Sequence, residues 1–315
     1  MLHLTVLSPA ERTEAVLAAL LEEPGVTNLV RLPGAALRPP GDVIEVDVAR
    51  EAADPVLELL NALCIATGGS VAVTETDAAF GRSVDEAERE APGQGVDAVV
   101  WQQMAQRTAE DARLSGTFLV FLIAATLISS VGLLTDSSVL VVGGMVLGPE
   151  FAPLAATAVA LAQRRWRSAA SSMRTLLIGF PLAVAVTAAG VTVLRLTAGI
   201  PADYLDGHRP LTSFVSHPDL FSVVVALIAG VAGTVSLTSA KAGALVGVFI
   251  SVTTIPAAAN IGTALVTDHV AEAGGAVVQL LVNVACILVA ATVTLLVQRR
   301  AGAARAARRA RRAAR

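Results

Sequence analysis

The sequence predicts a polytopic α-helical membrane protein, with six transmembrane helices forming two inverted three-helix repeats and an N-terminal ferredoxin-like α+β domain in the cytoplasm. Three observations predict it. The 315 residues are 54% hydrophobic and 16% charged, too apolar for an ordinary soluble enzyme. Charge is unevenly placed: residues 1–115 carry 19 acidic against 8 basic side chains and the remainder 7 against 15, so the overall −3 hides an acidic soluble part and a basic membrane part. Two apolar segments also repeat each other, since adding 103 to the residue number carries Leu134-Thr135 onto Leu237-Thr238, Gly144 onto Gly247, Gly148 onto Ser251 and Pro153 onto Pro256.

These observations divide the chain into a ferredoxin-like domain (1–80), a linker with a membrane-approach helix (81–115), the six-helix domain (116–298) and a basic tail (299–315). His3–Leu7 is a β-leaning run, and Ser8-Pro9 before Glu11 reads as a helix start, with Val16, Leu17, Leu20 and Leu21 at helical spacing. After Pro24-Gly25, Val26–Leu32 reads as a strand. A Pro39-Pro40-Gly41 turn leads to a second strand through Val43, Ile44, Val46 and Val48. A helix over 52–66 presents Val56, Leu57, Leu60 and Leu63, and Val71–Thr74 closes a βαββαβ order, the split-βαβ arrangement. The acidic stretch Gly81–Gly95 has no apolar period and reads as a linker, followed by an amphipathic helix over Val96–Arg113 with Trp101 as an interfacial anchor. The first nine residues lack a basic start and a long apolar run, so no cleaved signal peptide is expected. Cys64 and Cys286 have neither disulfide-framework nor metal-site spacing.

Hydropathy places the spans at 116–134, 138–162, 171–197, 219–238, 241–266 and 275–297. Arg164, Arg165, Arg167, Arg174, Lys241 and the arginines from Arg299 to Arg315 then share one side, which the positive-inside rule makes cytoplasmic for both termini. The expected setting is the inner membrane. Three spans per half bring the second half in from the opposite side, which makes the repeat inverted.

Val141–Pro153 places Glu150 among helix breakers inside an apolar span. Proline removes a backbone donor and crowds the preceding turn, and backbone freed at that depth must be buried in protein or face water. The expected break residues are Gly148, Pro149 and Pro153 in the second span and Pro256 in the fifth. An ionisable group within a span marks an ion path, a proton relay or a buried partner, so Glu150 heads a candidate solute or ion site, with Ser251, Thr253, Thr254 and Asn260 as its opposite wall. The plainer readings are a structural bond from Glu150 to freed backbone and local hydroxyl bonds that satisfy a Pro256 kink. Gly144 with Gly148, and Gly243 with Gly247, have the small-xxx-small spacing of close helix packing. Asp136 and Lys241 sit at opposite mouths. His208, His217 and His269 lack tight ligand spacing, and no metal or cofactor is expected.

The second span, Asp136 to Met145 through Gly148-Pro149, and the fifth, Ala244 to Val248 through Ile255-Pro256-Ala257-Ala258-Ala259, resemble the prokaryotic "uncharacterized hydrophobic domain" family of bacterial and archaeal membrane proteins. The resemblance covers most of the membrane region and, more loosely, the N-terminal domain. It implies a membrane protein without an assigned activity and supplies no catalytic residues. Glu150 departs from it, because the family often has an apolar or small residue there.

The expected function is movement of a small solute or ion at broken second and fifth helices. A channel-like oligomeric pore, or a non-transporting scaffold or sensor whose soluble domain binds a ligand or partner, are the alternatives. Expected partners are the bilayer, anionic lipids at the basic tail and further copies of the chain. Nucleic acid is not expected, because no aromatic residue accompanies the tail's charges. With no evident nucleophile, metal cluster or cofactor loop, an enzyme is not expected either.

Overall fold

The structure, a computed structural model, describes residues 1–63, 68–76, 79–91, 101–207, 210–212, 215, 219–238 and 246–313, without the side chains of 102, 103, 246–253, 303 and 305–313. Contacts divide the chain into two units, one built around residues 1–104 and one around residues 105–237 and the helices that follow.

In the first unit, alternation of large apolar residues sends Leu2, Leu4 and Val6 of β1 (Leu2–Ser8) and Ile44, Val46 and Val48 of β3 (Pro40–Val48) to one face of a sheet. Helices α1 (Thr13–Glu22) and α2 (Ala53–Leu63) cover that face with Val16, Leu20, Val56, Leu57 and Leu60. With β2 (Val26–Leu37) and β4 (Ser70–Glu75), the strand order is β2-β3-β1-β4 and every neighbouring pair is antiparallel, which is split-βαβ connectivity. β2 extends beyond the expected 26–32 because the ladder tolerates an irregularity between Leu32 and Ala36, where Pro33 and Gly34 fall. Arg31 ties this irregular strand down, pairing with Glu14 at 2.6 Å and Asp42 at 2.9 Å, while the Gly34 amide donates to Asp42 at 2.8 Å.

The stretch expected as a linker is partly helical. Arg82–Glu90 forms α3, which buries Val84 and Ala87, and Ala91 packs close to the Gly25 Cα. Three small apolar residues at one-turn spacing are enough to seat an otherwise acidic helix. The expected amphipathic helix is present as α4 (Trp101–Asp111), with residues 96–100 outside the described residues.

The second unit contains α5 (Gly116–Leu134), α6 (Ser138–Leu147), α7 (Phe151–Ala162), α8 (Trp166–Thr197), the single turn α9 (Ala202–Leu205), α10 (Leu220–Thr238), α11 (Val246–Val266) and α12 (Val270–Ala313). Its core joins Phe118, Leu122, Leu154, Phe180, Ile255 and Ile287 from five of these helices. Large apolar side chains such as Val120, Leu177, Val193 and Leu281 point outward, as lipid-facing residues do. Among the described residues four helices are long and apolar enough to cross a bilayer, and five spans result if the bent pair α6–α7 counts as one. The six expected spans are therefore matched only in part. The sixth candidate is α11, whose approach at 241–245 lies outside the described residues. α8 begins at Trp166 rather than 171, and the helical backbone of α12 continues from the last span into the arginine-rich stretch as far as Ala313.

Candidate functional site

The site begins at a failure of helix propagation. Pro149 has no amide hydrogen and drives the residue before it out of the helical region. Gly148 accordingly takes φ −65° and ψ 121°, which ends α6 at Leu147. α7 restarts at Phe151, with its axis turned by 53°. Pro153 does not contribute to the break as expected. It lies in the first turn of α7, where an amide would find no intrahelical acceptor, and its carbonyl accepts the Thr157 hydroxyl at 2.7 Å.

Glu150 occupies the N-cap position of α7, but its side chain does not cap that helix. Instead the Thr254 hydroxyl of α11 donates to Glu150 Oε1 at 2.7 Å, and both residues are fully buried. Two of the expected site residues, 104 positions apart, thus meet. Asn260 is also buried, six residues further along α11. The side chains of Ser251 and Thr253 lie outside the described residues.

The expected break at Pro256 does not occur: α11 runs as helix from Val246 through Pro256 to Val266. Ile255, Ala257, Ala258 and Ala259 around it are all fully buried, so packing holds the helix against the missing hydrogen bond.

Above the carboxylate, hydroxyls bind α5 to its neighbours. Ser130 meets Thr263 of α11 at 2.8 Å, and Thr187 of α8 donates to Thr126 at 3.0 Å. Sequence reasoning missed this seam, although two hydroxyl residues four apart within an apolar helix were its signal. Close approach supports it. A Cβ on Gly144 would meet Ser129 Oγ at 2.1 Å and the Ala125 carbonyl oxygen at 2.6 Å, and one on Gly262 would meet the Val184 carbonyl oxygen at 2.9 Å.

A crevice of about 410 Å³ opens onto the break, lined by Asp111, Ser115, Thr117, Phe118 and Phe121 from the α4–α5 stretch and by Val146, Gly148, Pro149, Phe151 and Ala152 from α6, the break and α7. A small cavity of about 10 Å³ lies between Leu154, Ala155 and Ala158 of α7 and Gly230 and Ile287. Asp111, Ser115, Thr117 and the phenylalanines were not singled out in the sequence. Ser115 alone left a trace, as a capping residue directly before an apolar run: its Oγ accepts the Phe118 amide at 3.1 Å.

At the other end of α5, Asp136 takes a left-handed conformation with φ 45° and accepts from the Leu211 amide at 3.2 Å and the Thr212 hydroxyl at 2.9 Å, so it anchors a loop. Arg195 pairs with Asp268 at 3.3 Å. His269 bonds Thr267 and stacks edge-on against buried Tyr204 at 5.7 Å. Lys241, Gly243, His208 and His217 lie outside the described residues.

Helices of this length and polarity, with one small antiparallel α+β domain, define a multi-pass membrane protein. Residues 145–289, from within α6 to within α12, match the family described as Domain of unknown function (DUF389). An uncharacterized protein of Methanocaldococcus jannaschii is 25% identical over 213 residues, covering 66% of this chain, and the chain spans 61% of that relative's length. Together these matches support a membrane protein family defined by a domain of unknown function. No solved structure matches the chain.

Proposed function

We propose that the protein moves a small solute or ion across the membrane, using the α6–α7 break as its central site. One observation carries the reading: a fully buried carboxylate, Glu150, is bonded to Thr254 at 2.7 Å beside a break onto which a crevice opens. Burying a carboxylate in a lipid-embedded bundle is costly, and such residues usually serve ion or solute pathways. The order α5, α6–α7, α8 recurs as α10, α11, α12, which supports two three-helix halves. Thr254 lies one position from the repeat equivalent of Glu150, and residues close to a pseudo-two-fold axis meet their own counterparts. An inverted repeat with its site near the midplane accounts for both features. In this reading the membrane is the bacterial or archaeal inner membrane, both termini are cytoplasmic, the basic tail rests on anionic lipids and the protein acts as a homo-oligomer rather than as an enzyme.

The test is flux in proteoliposomes loaded with a pH-sensitive dye and challenged in turn with gradients of sodium, potassium, methylammonium and phenethylammonium. The reading expects protein-dependent flux for at least one gradient, reduced more than about tenfold by Glu150→Ala. Flux equal to that of empty vesicles for every probe, or flux indifferent to Glu150→Ala, would sink it.

A further inference from the structure

The crevice has a chemical character that the break alone does not explain. The whole chain holds only 8 phenylalanines, yet Phe118, Phe121 and Phe151 converge on this one cavity. Asp111 also lines it and forms no ion pair among the described residues. A carboxylate beside aromatic side chains matches the recognition chemistry of an ammonium group carrying a hydrocarbon body, since cations are drawn both to carboxylates and to aromatic rings. The hydroxyls of Ser115 and Thr117 add acceptors for ammonium hydrogens. One term opposes this. The N-terminus of α5 also lies here and carries roughly half a positive charge. It is outweighed by the full charge of Asp111, and Ser115 already satisfies the Phe118 amide.

We propose that this crevice binds an alkylammonium solute, with the ammonium against Asp111 and the apolar body between Phe118, Phe121 and Phe151. This deepens the transport reading by naming the solute class, and rests on it for the step beyond binding. The volume of about 410 Å³ accommodates an arylalkylamine, and Gly148 and Pro149, which precede Glu150 in the chain, are among its lining.

The test measures binding of radiolabelled phenethylammonium to the full chain in a non-ionic maltoside detergent, with flux of the same probe followed in proteoliposomes. Asp111 and Phe121 are both exposed, so neither substitution removes a core contact. The proposal expects saturable binding that Asp111→Asn weakens about tenfold or more, that Phe121→Ala weakens several-fold, and that neutral phenethyl alcohol does not displace. No saturable binding, or binding unchanged by Asp111→Asn, overturns it. Adding phosphatidylethanolamine distinguishes the source of the ammonium: unchanged affinity supports a free amine, and displacement by the lipid overturns the solute assignment in favour of a lipid headgroup. Binding and flux measured side by side, in the unsubstituted protein and in Glu150→Ala, separate the two readings. Retained binding with flux lost fits both, whereas binding without flux in the unsubstituted protein preserves the crevice site and removes the transport reading.

Discussion

The α6–α7 pair and α11 carry the same kind of breaker and respond in opposite ways. Pro149 ends a helix and turns the chain by 53°, whereas Pro256 sits inside a helix of 21 residues that continues past it. The residue ahead of each proline accounts for the difference. Gly148 has no side chain to place and takes an extended ψ of 121° at little cost. Ile255 is fully buried in the core with Leu122, Leu154 and Ile287, and leaving the helix would extract it. A proline therefore breaks a membrane helix when its neighbour has nothing to lose, and is absorbed when the neighbour is held by packing. The broken side supplies the acid and the unbroken side a continuous helix that presents Thr254 to it.

The largest expected effect comes from removing that contrast. Gly148→Ala with Pro149→Ala restores both helix propensity and the missing donor. It is expected to straighten α6–α7, lengthening the distance between spin labels at 139 and 163, and to cut flux roughly 10-fold to 100-fold through misplacement of Glu150. A straightened pair with undiminished flux would detach the break from function.

Thr254→Val comes next. It keeps the shape and deletes the hydroxyl, leaving the buried carboxylate one donor short at a cost of about 1–3 kcal/mol. Thermal unfolding in detergent should show the loss, and Thr254→Ser should restore most of it. Equal stability of the Val and Ser variants would mean that the 2.7 Å contact contributes nothing.

Pro256→Ala tests the rigid side and should act in the other direction. An interior proline costs up to about 3 kcal/mol, so alanine is expected to stabilise the protein by some part of that while leaving flux unchanged. Lost flux would mean that α11 works by bending after all.

The smallest effect is in the first unit, where a different buried carboxylate sharpens the contrast with Glu150. Asp42 is held below the ordinary carboxylate range, chiefly by the Gly34 amide, with Thr13 and Arg31 also lowering it against the opposing effect of burial. Because its folded value is depressed, its contribution is present above the unfolded value of about 3.8 and fades as pH falls through the lower folded value. Acid unfolding of this unit should therefore shift slightly to higher pH in Asp42→Asn and lose part of its steepness below pH 4. An unchanged acid profile would mean that Asp42 is not held by these bonds.

Much of the architecture was legible because membranes and sheets both impose simple periodicities. The alternation in β1 and β3 and the long apolar runs of α5, α8 and α10 leave few other solutions. α3 was not legible, because Val84, Ala87 and Ala91 are too few to register as a period within an acidic run, and only their seat against Gly25 makes them a face. The crevice was equally hidden. Asp111 and Phe151 are 40 residues apart in the sequence, and nothing local records that they line one cavity.

Taken alone, the sequence determined that the chain enters a membrane, that a small α+β domain precedes the spans, and that Gly148-Pro149-Glu150 interrupts one of them, since composition, alternation and the missing proline donor act locally. Tertiary structure alone decided which proline breaks its helix, that Thr254 meets Glu150, and where the open volume lies. Those outcomes depend on the packing around Ile255 and on contacts between residues more than 100 positions apart, which no local propensity encodes.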